Sequence, residues 1–311
     1  MIFITGASGF VGKSVIEKLQ KVRVRVLSRE SKLDLKSTLH TIIQSGLEDD
    51  LSQATVGVEC VIHCAGISSV AGITEEKIHN VNCELTLKLA RQCINNNVKR
   101  FIFISSVKVC GENSGDIPFS VNTKCQPEDA YARSKLSAER GLISIARNTG
   151  MEVVIIRPTL VYGPGVKANF ASLMNLVSKG FPLPFGIINS NQRSLVSVTN
   201  LVDLIVTCIE HPKAKNQVFL VSDDHDVSTS EMVKQMSVAC GKKNFQLPVP
   251  AWCYKFVGKL FKKEDVVERL IGSLQVDISY TKETLDWTPP QPLQDGFKET
   301  ADYFLNKRGN K

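Results

Sequence analysis

Met1-Ile2-Phe3-Ile4-Thr5-Gly6-Ala7-Ser8-Gly9-Phe10-Val11-Gly12 opens the chain, and its reading decides the fold. Residues 2–5 form a short apolar run, which reads as a strand buried on both faces. Residues 11–20 carry a helical pattern. Between the two lie glycines spaced G-x-x-G-x-x-G. Gly6 permits a tight turn, Gly9 lets the backbone approach a ligand, and Gly12 lets helix and strand pack closely. A helix that starts here points its free N–H groups and the positive end of its dipole at an anion. A bare glycine pattern is weak evidence. This one joins the first strand to the first helix, the context that a dinucleotide phosphate loop requires.

The same alternation continues outward. Runs at 22–27, 60–64, 100–105, 153–156 and 217–221 read as strands, with a shorter one at 41–43. Helical patterns cover 84–96 and 131–148. Strands alternating with helices imply right-handed crossovers and a Rossmann-type α/β fold, a doubly wound parallel sheet. After Pro158 the texture changes: residues 162–186 are rich in Gly, Pro and Asn, and 247–292 carry several prolines. The expected division is a dinucleotide-binding domain over 1–160, taking in about 194–221, and a smaller C-terminal substrate-binding lobe over 161–193 and 222–311.

The bulk properties exclude several classes. The 311 residues are 43% hydrophobic and 22% charged, ordinary for a globular protein. No apolar run is long enough to span a membrane. Met1 leads directly into a strand, so no secretory leader is expected. Nine cysteines, an odd number at irregular spacings without a C-x-x-C pair, argue against a disulfide framework or a metal site. They suit buried thiols in a reducing, cytoplasmic setting. The net charge of +7 is spread along the chain. It fits simple solubility or an anionic substrate, and no nucleic-acid motif accompanies it. The basic, aromatic segment 252–263 reads as a lobe helix with solvated lysines, in preference to a membrane-surface contact.

Tyr131 and Lys135 stand four apart on a helix and so share a face. An ammonium near a phenol favours the phenolate and brings its proton exchange nearer neutral pH. Ser105-Ser106 ends the preceding strand, and strand C-termini are where doubly wound sheets bind ligands. Ser106 thus offers a hydroxyl to hold a substrate oxygen beside Tyr131; a strand-to-loop cap is the alternative. Ser28-Arg29 ends the second strand, where NAD sites commonly place an acid on the ribose. An Arg there suits a 2′-phosphate, so NADP(H) is slightly favoured over NAD(H), although Glu30 follows directly.

These motifs resemble the extended short-chain dehydrogenase/reductase family of nucleotide-sugar epimerases, dehydratases and reductases. The resemblance runs over nearly the whole chain. It rests on the glycine loop, Val61-Ile62-His63-Cys64-Ala65-Gly66, Val81-Asn82, residues 105–111, the Tyr131–Lys135 pair, the run from Arg157-Pro158 to Tyr162-Gly163-Pro164, and Gln192-Arg193-Ser194. It implies that Ser106 and Tyr131 hold the reacting oxygen, with Tyr131 as acid and base, and that Lys135 tunes Tyr131 and binds ribose. Phe10 and Val11 would lie over the pyrophosphate, Leu47 at the adenine, Ala65 and Gly66 along the nicotinamide side, and Pro158 near the carboxamide, with Asn82 a further cofactor-binding residue. Asn169 and Arg193 resemble sugar-nucleotide contacts, and Arg193 suits a diphosphate on physical grounds.

Departures narrow the reaction. Gly46 stands where many members carry Asp, Lys108 where many epimerases carry Thr, and Leu160 where they carry Asn. Val107-Lys108 replaces the Asp-Glu pair of a dehydratase. Lys108 could contact a substrate carbonyl or phosphate, or be an exposed loop lysine. The resemblance lies closest to bacterial reductases and 4-epimerases acting on UDP-linked N-acetylhexosamines or hexoses for surface polysaccharide. The 4-keto reductase is favoured over the 4-epimerase on the strength of Ser28-Arg29. A non-catalytic NADP-binding regulator would need the glycine turn but not Ser106, Tyr131 and Lys135. The resemblance also implies a homodimer paired through two helices, one of them carrying Tyr131.

Overall fold

Strands flanked by helices on both faces are predominantly apolar, and those at 2–5, 60–63 and 100–104 are buried from end to end. A computed structural model describes residues 1–30, 35, 37–68, 72–260 and 264–309; at 168, 169, 251, 255, 257, 258, 264–266 and 307–309 it describes the backbone only. The first half runs β1 (Ile2–Thr5), α1 (Phe10–Lys18), β2 (Val24–Ser28), β3 (His40–Gln44), β4 (Cys60–His63) and α2 (Glu75–His79). After a π turn at Asn80–Glu84 come α3 (Leu85–Asn95), β5 (Arg100–Ile104), α4 (Ala130–Asn148) and β6 (Glu152–Pro158). Then follow β7 (Leu160–Tyr162), α5 (Ala168–Ser178), β8 (Arg193–Ser197), α6 (Val198–Glu210), β9 (Val218–Val221) and β10 (Asp226–Val227). The chain ends with α7 (Thr229–Ala239), α8 (Ala251–Leu260), α9 (Glu264–Ile271), α10 (Ser279–Leu285) and α11 (Leu293–Gly309).

Seven parallel strands stand in the order β3-β2-β1-β4-β5-β6-β9. The chain builds outward from β1 to β3, then crosses back to place β4 on the other side of β1. That reversal opens a crevice at the C-terminal ends of β1 and β4. Alternate residues feed two cores. Ile2, Ile4, Ile62, Ile102 and Ile104 pack with α1 and α6 on one face. Phe3, Val61, Phe101 and Phe103 pack with α3 and α4 on the other. A three-stranded sheet, β10-β8-β7, stands beside this layer. Its core joins Tyr162, Phe170, Met174, Leu195, Met232 and Phe297.

The expected strands and helices are present, with shifted ends. The second strand begins at Val24 and takes in Ser28, and the expected short strand at 41–43 is β3, an edge strand beside β2. The helix expected at 84–96 is the last part of a longer helical run through α2 and the π turn. Among the described residues no helix is long and apolar enough to cross a membrane. In α8, Trp252 and Phe256 are exposed, as are Lys259 and Leu260; Phe261 to Lys263 lie outside the described residues.

Candidate active site

The glycine loop closes on itself as its spacing requires. Gly6 takes φ +73°, and the Gly9 N–H donates to Gly6 O at 2.9 Å. A Cβ on Gly12 would overlap the Gly6 carbonyl, and one on Gly6 would meet the backbone of Cys64 and Ala65. The loops after β1 and β4 therefore touch at the crevice. Side chains cap the N-termini of α2, α4, α6 and α7, whereas Gly9 leaves that of α1 without a side-chain cap. Phe10 and Val11 open that helix. No acidic residue lies in its first turn, so its N–H groups and dipole face the crevice unopposed.

The floor of the crevice is Ala65-Gly66. Asn82, fully buried in the π turn, holds the next residue at both ends: its Oδ1 accepts from Ile67 N at 2.8 Å and its Nδ2 donates to Ile67 O at 2.9 Å. A Cβ on Gly66 would lie 3.1 Å from Asn82 Oδ1 and 3.2 Å from Lys135 Nζ. Behind the floor, a hydrogen-bond chain fixes one histidine tautomer. The Thr86 hydroxyl donates to Asn82 O, so it accepts from His63 Nε2 at 2.9 Å. His63 Nδ1 then accepts from the Thr5 hydroxyl at 2.7 Å. Burial pushes His63 down to about 3. These features fit a dinucleotide: a backbone cradle that a Cβ would fill, an uncapped helix end, and a bare glycine floor beside an ammonium.

Ser28 ends β2 and Arg29 follows it. Ser28 is buried and its hydroxyl accepts from Glu30 N at 3.0 Å, so part of its bonding capacity is spent on its own turn. Arg29 projects into solvent. Leu47 packs partly buried on the second core, and Asp49 steadies its loop by accepting from Ser45 Oγ (2.6 Å) and Gly46 N (2.7 Å). An acid thus serves this loop from just beyond Leu47, although Gly46 occupies the position where the resemblance led one to expect it.

Ser106 and Tyr131 come together, near enough that the Ser106 hydroxyl eases ionisation of the Tyr131 phenol. Ser106 stands at the end of β5 and accepts from Lys108 N at 3.3 Å; Tyr131 lies in the first turn of α4. Burial, and the Asp129 carboxylate more weakly, push Tyr131 up to about 12 against the lowering effect of Ser106. Lys135 is on the same helix face. Its ammonium donates to Ile104 O at 2.9 Å and lies 4.5 Å from the centre of the Phe103 ring. Burial lowers it to about 8. The groups shifting Tyr131 are therefore Ser106 and Asp129, and Lys135 instead faces the Gly66 floor.

Beyond Ser106 lies a cavity of about 510 Å³. Leu160, Val161, Phe170, Leu173 and Met232 give it apolar walls, and Ser106, Lys108, Glu112, Arg193 and Arg269 its polar points. Lys108 is half-buried, its ammonium held by Glu112 and, at 2.8 Å, by Asp129. It is neither a loose surface lysine nor an unpaired cation. Asp129 also caps α4, accepting from Ala132 N at 2.7 Å. Arg193 donates to Arg269 O (2.8 Å) and Gly272 O (3.1 Å). Both partners are carbonyls, and the Glu112 carboxylate in the same cavity also acts on its charge. Pro158 is buried at the end of β6. The Asn169 side chain lies outside the described residues.

Several residues escaped the sequence reading. Glu139 accepts from Ser105 Oγ at 2.5 Å and forms a buried two-point pair with Arg157 at 2.6 and 3.0 Å. Its signal was present: Tyr131, Lys135 and Glu139 are spaced to share one helical face. Arg157, a charge at the end of an apolar strand run, was the matching sign. Arg269, opposite Arg193, comes from a tail with no recognisable motif. No metal site was expected; the π turn does gather ligand atoms of His79, Cys83 and Glu84 within 4.8 Å, with His79 Nε2 already 3.3 Å from Glu84.

A model of the NAD dependent epimerase/dehydratase family matches residues 2–222. A protein of Vibrio cholerae described as UDP-glucose 4-epimerase is 53% identical, over 98% of this chain and 95% of its own length. Among solved structures, a UDP-glucose 4-epimerase from Thermotoga maritima with UDP-glucose covers 99% of both chains at a TM-score of 0.79 and 24% identity. A UDP-glucuronic acid 4-epimerase from Bacillus cereus in complex with NAD covers 98% of this chain and 96% of its own, at 0.81 and 22%. At those identities the two structures bear on the fold.

Proposed function

The chain belongs to the NAD dependent epimerase/dehydratase family, and from that premise we propose that it is an NAD-dependent 4-epimerase of a UDP-linked hexose or N-acetylhexosamine. The observation that carries the choice is the 53% identity to a UDP-glucose 4-epimerase along almost the full length of both chains. It displaces the reductase favoured from sequence. That preference, and the lean to NADP(H), rested on Ser28-Arg29, whereas the family is described as NAD dependent.

Gly6, Gly9, Gly12 and the first turn of α1 would cradle the pyrophosphate, Ala65-Gly66 would face the nicotinamide, and Lys135 would donate to the ribose. A bound NAD would supply the acceptor and donor for a hydride at sugar C4. Tyr131 Oη removes the C4 hydroxyl proton and gives it back, and Ser106 Oγ holds the same oxygen. Arg193 and Arg269 supply positive charge for the diphosphate. The apolar walls offer the ring few directional bonds, which suits a 4-keto sugar that must present both faces while its diphosphate stays anchored. We read 161–193 and 222–311 as the sugar-nucleotide lobe, and a homodimer as the working form.

The test incubates the protein with UDP-glucose, and separately UDP-N-acetylglucosamine, with NAD well below substrate concentration. Formation of the 4-epimer by many turnovers is the expected result. No conversion of either, with reduction of a 4-keto sugar once NADPH is supplied, overturns the epimerase in favour of the reductase.

A further inference from the structure

Cys110 and Cys125 stand apart from the chemistry described so far. Cys110 closes the turn that follows Ser106, and Cys125 lies in the loop leading to Asp129 and α4. The two sulfurs sit on the two ends of one guanidinium: Arg157 Nη1 is 3.7 Å from Cys110 Sγ, and Nη2 is 3.4 Å from Cys125 Sγ. The two thiols therefore meet at one cation, and each shifts the titration of the other. Cys110 is buried. Cys125 is half-buried between exposed Lys124 and Gln126. One thiol is therefore reachable, beside a fixed cation, with a second thiol behind it.

We propose that Cys125 is a nucleophilic thiolate and Cys110 its resolving partner, together a reversible oxidation site for hydroperoxides between the Ser106 and Tyr131 loops. The charged or titratable groups facing Cys125 are Cys110 after β5, Arg157 on β6 and Glu139 on α4. The neighbouring Cys110 thiol and the Arg157 charge both favour the Cys125 thiolate. Together they outweigh burial and the Glu139 carboxylate and bring Cys125 down to about 6. Cys110 shifts the other way and keeps its proton. Burial, the largest influence on each, pushes Cys60, Cys64, Cys93 and Cys208 up to about 12, so these thiols stay protonated and unreactive.

The Cys125 thiolate attacks one oxygen of the hydroperoxide. An S–O bond forms, the O–O bond breaks, and the departing hydroxide takes a proton from solvent to leave as water. Sulfur is oxidised to the sulfenic acid and the peroxide is reduced. Cys110 then attacks the sulfenic sulfur. An S–S bond forms, the S–O bond breaks, and hydroxide leaves with the Cys110 proton as a second water. A dithiol reductant reverses the bridge by exchange.

The test uses the full-length reduced protein and reads chemistry at sulfur, so it stands apart from whether the epimerase reading is right. Iodoacetamide labelling is followed at each cysteine by mass spectrometry from pH 5 to 8. Cys125 is expected to label roughly tenfold or more faster than any other cysteine at pH 7, with its rate rising through a midpoint near 6. Hydrogen peroxide is expected to yield a Cys110–Cys125 linked peptide that dithiothreitol removes. In Cys110→Ser, dimedone is expected to trap a Cys125 sulfenic acid. Labelling of Cys125 no faster than half-buried Cys253 overturns the proposal, as does peroxide oxidation of the wild-type chain without that linked peptide. Both deciding measurements use the wild type, so the folding of the variant does not affect them.

Discussion

Tyr131 meets two opposing demands. Its surroundings hold the phenol up at about 12, yet the proposed reaction asks it to exchange a proton near neutrality. Ser106 is the described group that eases the phenolate. Tyr131→Phe is therefore expected to lower kcat by roughly 10²–10⁴, while NAD affinity, read by calorimetry, stays unchanged. Equal turnover would remove Tyr131 from the proton path. Gly12 acts through space. A Cβ there strikes backbone rather than a movable side chain, so Gly12→Ala must shift the phosphate loop. The expected result is NAD binding weakened by about 1–3 kcal/mol, the usual scale of overpacking, with kcat at saturating NAD less affected. These residues were legible because each is needed for its backbone or its chemistry at a fixed spacing. Ser28-Arg29 was a weaker guide: an Arg suits a 2′-phosphate by type, but residue type alone does not fix the cofactor, and the family is described as NAD dependent.

Among the elements, α4 concentrates the machinery. Asp129 caps it, Tyr131 and Lys135 follow, and Glu139 completes the same face one turn on. Y-x-x-x-K was visible as a local spacing. The pairing of Glu139 with Arg157 was not, because it joins α4 to β6 across the sheet. The π turn was hidden for a related reason: it sits where Asn82 must reach Ile67 and Ser134, a demand of packing and not of helix propensity. The Glu139–Arg157 pair is buried on both sides, at 1% and 7% side-chain exposure, so removing one partner strands the other charge. Glu139→Gln is expected to destabilise the fold by about 3–5 kcal/mol, measured by urea unfolding. The double variant Glu139→Leu with Arg157→Met is expected to recover most of that loss. If the single and double variants lose equal stability, the pair does not act as a unit.

On the scale of the whole molecule, the crevice exists because the chain reverses direction across the sheet, and one buried residue, His63, ties the two sides of that reversal together. It links Thr5 on β1 to Thr86 on α3 while stacked on Phe103 of β5. Both ring nitrogens are bonded in the neutral form. A second ring proton would displace the Thr5 bond and bury a charge, and this is why burial holds its pKa at about 3. The unfolded chain carries an ordinary histidine that takes up a proton near pH 6.5. Between about 6.5 and 3 the unfolded state therefore binds one more proton than the folded state, and stability must fall as pH falls through that window. At pH 4 this one residue accounts for roughly 3 kcal/mol lost relative to pH 7. His63→Asn takes up no proton in either state. The variant is less stable at pH 7, but its unfolding free energy is expected to fall less steeply from pH 6.5 to 4, by about one proton in slope. Parallel curves for the two proteins would mean that His63 is protonated in the folded state, and that the bond chain from β1 to α3 is not the neutral one described.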